Sequence, residues 1–213
     1  MSEPWTYAIL ISGELGSGKT TTQNGLLRAI SLALPENTVV FAVDFANELK
    51  AECALRAGVS TNVFYTEEGK KAFYPAVNMT GRELLQRVGE EARQKDPAHW
   101  IKRVQARITR ARELTQSPNV LLIVGDCRHP NEVDLMRPGF AVRLEGDPKG
   151  VRARSTADLT HISERAMDSY ESFDMKINTN EVPEAEVVKK IMRRLAEVLP
   201  DRFGAFAGED TQE

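Results

Sequence analysis

The stretch Gly13-Glu14-Leu15-Gly16-Ser17-Gly18-Lys19-Thr20 carries the most explicit chemistry in the chain. It matches the spacing G-x-x-x-x-G-K-[ST], in which backbone amides wrap a polyphosphate, a lysine reaches the β- and γ-phosphates and a hydroxyl helps to hold Mg²⁺. Gly13, Gly16 and Gly18 let the main chain approach an anion without Cβ clashes, Lys19 brings the charge and Thr20 the hydroxyl. Ser17 and Thr21 complete the expected nucleotide-binding set. The flanks give the string its meaning. Tyr7 to Ser12 is short, apolar and β-branched like a buried strand, and apolar residues recur at helical spacing from Thr20 to Leu34. A strand-to-helix turn presents unpaired N–H groups and the positive end of a helix dipole to a phosphate.

Asp44, Asp126, Asp147 and Asn178 each fall at the end of a predicted strand or just past it, where open α/β sheets bind their ligands. Asp126, after the apolar run Val120 to Val124, has the form of the acid that holds Mg²⁺ together with Thr20, directly or through water. Capping the next helix is its plain alternative. Asp44 either faces an acceptor or caps the helix that begins near Ala46.

Phosphoryl transfer asks for charge neutralisation around two anions, and the planar fork of arginine binds phosphate bidentately. Arg128 lies two residues past Asp126, on a loop expected to face the phosphates. Arg152 and Arg154 sit in a charged stretch with Gly146, Pro148 and Gly150 nearby, which reads as a lid over residues 147–158, or else as an ordinary solvated turn. Arg103, Arg107 and Arg110 recur at helical spacing and read as a solvated face, while spacing leaves Arg93 ambiguous. His99, His129 and His161 are scattered and make no metal constellation. His161 with Glu164 lies just past the expected lid, where the pair would brace it.

These residues need a scaffold, and the periodicity supplies one. Strands are predicted at 7–12, 38–43, 120–124, 141–145 and 175–178. Helices are predicted at 20–34, 45–57, 81–94 behind the capping-box string Thr80-Gly81-Arg82-Glu83, 131–137, from Ser163, and 183–199, with a further one carrying Trp100, Ile101, Val104, Ile108 and Ala111 on one face. Residues 59–79 read as irregular and partly mobile, and 201–213 as a disordered tail. Alternation of strands and helices implies an α/β fold: a five-stranded parallel sheet with helices on both faces, one domain over residues 1–200, and an insertion over about 45–116.

The chain has 213 residues and a net charge of −3, so no basic excess argues for nucleic acid or an anionic membrane. Cys53 and Cys127 are too far apart in sequence to form a disulfide framework or a metal spacing. Without a leader-like N-terminus or an apolar run near the ~20 residues that span a bilayer, the expectation is a cytoplasmic protein.

The chain resembles the deoxynucleoside monophosphate kinases of tailed bacteriophages, within the P-loop nucleoside monophosphate kinase group and akin to animal phosphomevalonate kinases. Beyond the phosphate loop, the likeness rests on Phe45-Ala46-Asn47-Glu48-Leu49-Lys50, on Leu84-Leu85-Gln86-Arg87-Val88-Gly89 followed by Arg93 and Trp100, on Asp126-Cys127-Arg128-His129-Pro130-Asn131-Glu132, and on His161-Ile162-Ser163-Glu164. The resemblance implies a P-loop kinase of deoxynucleotide metabolism, in the host cytoplasm if viral, using ATP and Mg²⁺. It implies that the insertion is a helical acceptor-binding subdomain, with Arg93, Lys50, Asp44 and Arg128 toward the acceptor. It also sets the loop at Asn178-Thr179-Asn180 against adenine and makes Lys19, Arg128, Arg152 and Arg154 the groups that stabilise the transferring charge.

Three alternatives accompany this reading. Another phosphorylated metabolite could be the acceptor, since the phosphate machinery says little about what lies beyond the phosphate. A GTPase would need Asn-Lys-x-Asp, and the closest string, Asn131-Glu132-Val133-Asp134, has Glu for Lys. A nucleic-acid ATPase could use Arg103 to Arg112, but no aromatics interleave with that run. The expected partner is a small-molecule nucleotide, with no stable nucleic acid and no membrane, and a homodimer is left open.

Overall fold

The computed structural model describes residues 4–32, 37–154 and 165–204, with the side chains of Ala153, Arg154 and Arg202 excepted. The expected helix start at Ser163, the His161–Glu164 brace, the last third of the expected lid and the chain after residue 204 lie outside the described residues. Two compact units partition the chain: Met1–Val43 with Arg110–Glu213, and Asp44–Thr109.

The first unit is built on β1 (Thr6–Gly13), β2 (Thr38–Val43), β5 (Asn119–Cys127), β6 (Gly139–Glu145) and β7 (Met175–Asn178). All pair in parallel, in the order β2-β5-β1-β6-β7, so β1 sits at the centre and delivers its carboxyl end between β5 and β6. This is the α/β fold with a five-stranded parallel sheet that the alternation of elements predicts.

One face of the sheet carries Tyr7, Ile9 and Ile11 of β1 beside Leu121 and Ile123 of β5 and Phe140, Val142 and Leu144 of β6. Helix α1 (Lys19–Ser31) covers it with Leu26 and Ile30, and α8 (Glu184–Val198) with Val187, Ile191 and Leu195. Ala8, Leu10, Leu122, Val124 and Ala141, which alternate with them, are equally buried, as strands covered on both faces require. A turn of helix α9 (Pro200–Phe203) corrects the expected tail at its start: Phe203 is 1% exposed in the same core, so burial of one aromatic ring orders residues that composition alone marks as loose.

The second unit contains α2 (Phe45–Ala57), α3 (Glu67–Lys71), a hairpin of β3 (Phe73–Tyr74) and β4 (Met79–Thr80), and α4 (Gly81–Lys95). Helix α5 (His99–Thr115) follows and buries Trp100, Ile101, Val104 and Ile108. The stretch 59–79, expected to be irregular, is instead a chain of short ordered pieces. A 3₁₀ turn at Thr61–Tyr65 is capped by Ser60, α3 is capped by Thr66, and Phe64 stacks on Tyr74 with ring centroids 5.6 Å apart. Each piece is too short to show a period, and the order comes from caps and from two buried rings.

Helix α4 starts as expected. Thr80 accepts from the Glu83 N–H, and the Glu83 carboxylate accepts from the Thr80 N–H at 2.7 Å. The hydrogen bonds from the Thr80 backbone and then its hydroxyl hold the Glu83 carboxyl below its ordinary range. Thr80→Ala should cost about 0.5–2 kcal/mol of stability, read as a lower midpoint in urea denaturation.

Candidate phosphate-binding site

Between the end of β1 and the start of α1 the backbone turns through Gly13, Gly16 and Gly18 at φ +157°, +84° and +89°. The last two lie in the left-handed region, which glycine alone enters at little cost. Gly18 stands at the N-cap of α1, with no side-chain cap and no acidic residue in the first turn. An uncapped helix start with a carboxylate-free first turn is the environment that suits a bound anion. The Lys19 ammonium donates to the carbonyl oxygens of Gly13 at 2.8 Å and Glu14 at 2.7 Å, arching over its own loop. Thr20 is exposed on the first turn of α1. Ser17 lies inside the base of the loop. It is fully buried, its N–H donates to the Glu14 carbonyl, and a Cβ on Gly13 would overlap its hydroxyl.

Asp126 does not follow the β5 strand, as expected, but lies within it. The pairing between β1 and β5 runs Leu10 with Val124 and then Ser12 with Cys127, so Gly125 and Asp126 together oppose Ile11. Such a bulge lengthens the strand by one residue and re-aims a side chain beside a ligand site. The Gln23 amide, buried one turn below Thr20, donates to the carbonyl oxygens of Ile123 at 3.0 Å and Val43 at 3.3 Å. Gly125 leaves room for it, since a Cβ there would stand 2.6 Å from the amide carbon. Gln23 thus pins α1, which carries Thr20, to β5, which carries Asp126. A hydroxyl and one carboxylate are hard oxygen donors that suit Mg²⁺, which takes most of its other ligands from water and phosphate.

Past Asp126, the buried Glu132 at the start of α6 (Pro130–Asp134) accepts from the N–H groups of Arg128 at 2.7 Å and His129 at 3.1 Å. The Asp-x-Arg-x-Pro-Asn-Glu string therefore closes its loop on its own glutamate and fixes the backbone that carries Arg128. Helix α6 ends at Asp134, three residues short of the expectation.

Asp147 anchors the next stretch. Its carboxylate accepts from the N–H groups of Val151 at 2.7 Å and Arg152 at 2.8 Å, capping α7 (Val151–Arg154). Desolvation alone would raise the Asp147 carboxyl. The backbone hydrogen bonds from Arg152 and Val151, with the Arg152 charge, outweigh it and hold the group below its ordinary range. The Arg152 guanidinium pairs with the Glu14 carboxylate of the phosphate loop and lies 3.6 Å from Asp147. The Arg154 side chain and residues 155–158 lie outside the described residues.

The Asp147 N–H donates to Asn180 at 2.9 Å, and Thr179 donates to the Glu145 carbonyl, so the loop after β7 is tied to the loop after β6. Asn178 spends both ends of its amide inside its own loop, donating to Glu181 at 2.6 Å and accepting from the Asn180 N–H at 3.1 Å. Sequence reading missed Arg143. This arginine of β6, only 9% exposed, pairs in register with Ser12 and donates to its hydroxyl at 3.0 Å, directly beneath the phosphate loop. A cation inside an otherwise apolar strand was the available signal.

Of the expected acceptor residues, Asp44 stands at the N-cap position of α2 but makes no capping hydrogen bond. Nearly two turns on, Lys50 lies 3.8 Å from the centre of the Tyr65 ring, whose hydroxyl donates to Asn47 at 2.7 Å. Arg93 donates to the Gly89 carbonyl at 3.4 Å, and the Trp100 indole points at the same oxygen at 3.5 Å. Arg103 and Arg107 pair with Glu52 and Glu48 of α2, and Arg110 with Glu113, as a solvated helix face does. Among the described residues no helix is long and apolar enough to cross a membrane, and no cluster of three or more His, Cys, Asp or Glu could hold a metal ion.

No protein-family model and no curated protein matches this chain. Solved structures with a similar course of the chain include a tunicamycin resistance protein of Deinococcus radiodurans, 14% identical, with a TM-score of 0.47 over 92% of this chain and 96% of that one. A gluconokinase of Sinorhizobium meliloti 1021 is 14% identical, with a TM-score of 0.46 over 98% of this chain and all of the other. Shikimate kinase of Aquifex aeolicus vf5 is 21% identical, with a TM-score of 0.40 over 91% and 98%. At such identities none of these names says what this chain acts on.

Proposed function

We propose that this chain is an ATP-dependent kinase that phosphorylates a deoxynucleoside 5′-monophosphate to the diphosphate by in-line transfer of the γ-phosphoryl group. The observation that carries the kinase reading is the phosphate loop: three glycines shaping a turn into an uncapped helix start, with Lys19 held over it. In this reading Lys19, Arg128 and Arg152, with Arg154, neutralise charge on the transferring group, and Asn178 to Asn180 border the adenine. Thr20 and Asp126 would hold Mg²⁺, which when bound would supply positive charge to offset that of the phosphates. The acceptor phosphate is ionised at neutral pH, so the protein has to position it rather than deprotonate it.

The insertion is the acceptor-binding subdomain of this proposal. Its support is the sequence resemblance, together with cationic side chains that neighbouring groups hold in place: Lys50 on the Tyr65 ring and Arg93 at the Gly89 carbonyl. Mevalonate 5-phosphate stays as the second acceptor to test, because these contacts address a phosphate and not a base. Arg103, Arg107 and Arg110 of α5 are spent on carboxylates and Arg112 on the Trp5 carbonyl and the Thr6 hydroxyl, which speaks against a nucleic-acid motor.

The test is a coupled assay of ADP release with each deoxynucleoside monophosphate, with mevalonate 5-phosphate, and with single-stranded DNA in place of an acceptor. Release that depends on a deoxynucleotide supports the proposal, and release stimulated only by DNA overturns it. Within the same assay Arg93→Ala should lower kcat/KM for the acceptor roughly ten- to a hundredfold, the loss of one charge-assisted contact of about 1.5–3 kcal/mol. The KM for ATP should hardly move. Equal losses for both substrates would make Arg93 a structural residue of α4.

A further inference from the structure

Glu14 is a carboxylate inside a loop shaped for phosphate, and the motif places no requirement on that position. Its side chain is 44% exposed, yet it is not solvated at random, since it forms an ion pair with Arg152, itself 29% exposed. The rest of the local network has no such freedom. Asp147 uses both carboxylate oxygens to cap α7, and Lys19 is engaged by two loop carbonyls. Arg152 is the group that the proposed function gives to a nucleotide phosphate. A carboxylate and a phosphate present the same pair of anionic oxygens to a guanidinium fork.

We propose that Glu14 is a positioning residue for Arg152: its carboxylate holds the guanidinium at the phosphate loop and is the anion that a nucleotide phosphate must displace from it. This inference rests on the reading of the loop as a nucleotide site. Glu14 has solvent to swing into once displaced, whereas Asp147 keeps the start of α7, and with it the Arg152 backbone, in place. The protein trades affinity for a preset arginine. Neutralising Glu14 removes the competing anion but also lets the arginine wander, so binding and turnover should move in opposite directions.

An exposed ion pair is worth about 0–1 kcal/mol, so Glu14→Gln should tighten binding of a non-hydrolysable ATP analogue about two- to fivefold at physiological salt. The same variant should lower kcat with the acceptor saturating. Isothermal titration of wild type, Glu14→Gln, Arg152→Gln and the double variant separates the possible causes. The gain from Glu14→Gln should vanish when Arg152 is already Gln, because nothing is left to compete for.

Equal gains in both backgrounds would mean that Glu14 repels the phosphates directly, and would overturn the proposal. So would an unchanged or weaker affinity of Glu14→Gln, or an unchanged kcat. Thermal melting of each variant checks that the loop still folds, and a variant that melts early is replaced by Glu14→Ala in the same cycle. A wild-type protein that binds no ATP analogue overturns the nucleotide reading itself. Binding without the expected non-additivity overturns only the role of Glu14.

Discussion

Lys19→Ala is expected to remove nearly all phosphoryl transfer, about a hundred- to a thousandfold in kcat, while leaving the fold intact. The ammonium is the one cation in the loop whose backbone is fixed by the helix start, and it donates to two carbonyl oxygens of the same loop at 2.7 and 2.8 Å. Those carbonyls lie at a part-buried rim, so water can replace the lysine and little stability is lost. The transferring phosphoryl group has no such substitute. Its charge develops where a preorganised cation does most of the work, and removing one such group costs about a hundred- to a thousandfold in kcat. ADP release and far-ultraviolet circular dichroism measured on the same preparation test both halves. Near-normal turnover by a normally folded variant would remove the loop from the chemistry, and a collapsed spectrum would make Lys19 a residue of stability.

The scaffold of this site is written in short-range patterns. β5 holds the apolar run Val120 to Val124, β2 and β7 fall on the segments expected at 38–43 and 175–178, and α2 starts and stops where Phe45 and Gly58 say it should. Burial on both faces makes a strand a continuous apolar run, and a left-handed glycine ends a helix. Both signals are local, so one sequence suffices to see them. What escaped is set by partners distant in sequence. Gln23 is an unremarkable polar residue of a helix until the carbonyls of Val43 and Ile123 stand around it. Arg143 stands out in sequence as a cation in an apolar strand, but its place beneath the phosphate loop became legible only when β6 was laid beside β1, with Ser12 opposite.

Asp126 shows the same limit in finer form. The acid was legible from the apolar run before it, but the bulge that seats it inside β5 depends on register with β1. Asp147 was legible as a residue past a strand. That it caps α7 and touches the phosphate loop depends on where the loop passes. The residues 59–79 failed as a prediction for another reason. Their order is made by Ser60 and Thr66 caps and by the Phe64–Tyr74 stack, and none of these repeats along the chain.

Gly16→Ala carries the second large effect, and its cause is different from that of Lys19. At φ +84° an L-residue pays about 1–2 kcal/mol for the left-handed conformation, whatever the space around it. Here the space is also taken. A Cβ on Gly16 would overlap the Asp147 carboxylate oxygen that caps Val151 and would stand 3.1 Å from the Val151 side chain. The methyl group and the cap cannot both keep their places, so either the loop leaves its shape or α7 loses its N-terminal anchor, at about 1 kcal/mol more. Together these amount to about 2–3 kcal/mol, or roughly 30- to 150-fold in kcat/KM for ATP. The variant should also expose the N–H groups of Val151 and Arg152, which hydrogen exchange reads directly. Gly18→Ala is the matched control: its φ is +89°, but no atom lies within 4 Å of the added Cβ, so it should show the strain without the loss of protection in α7. If both variants lose the same activity and neither changes exchange at Val151, the contact between the phosphate loop and Asp147 has no part in holding the site.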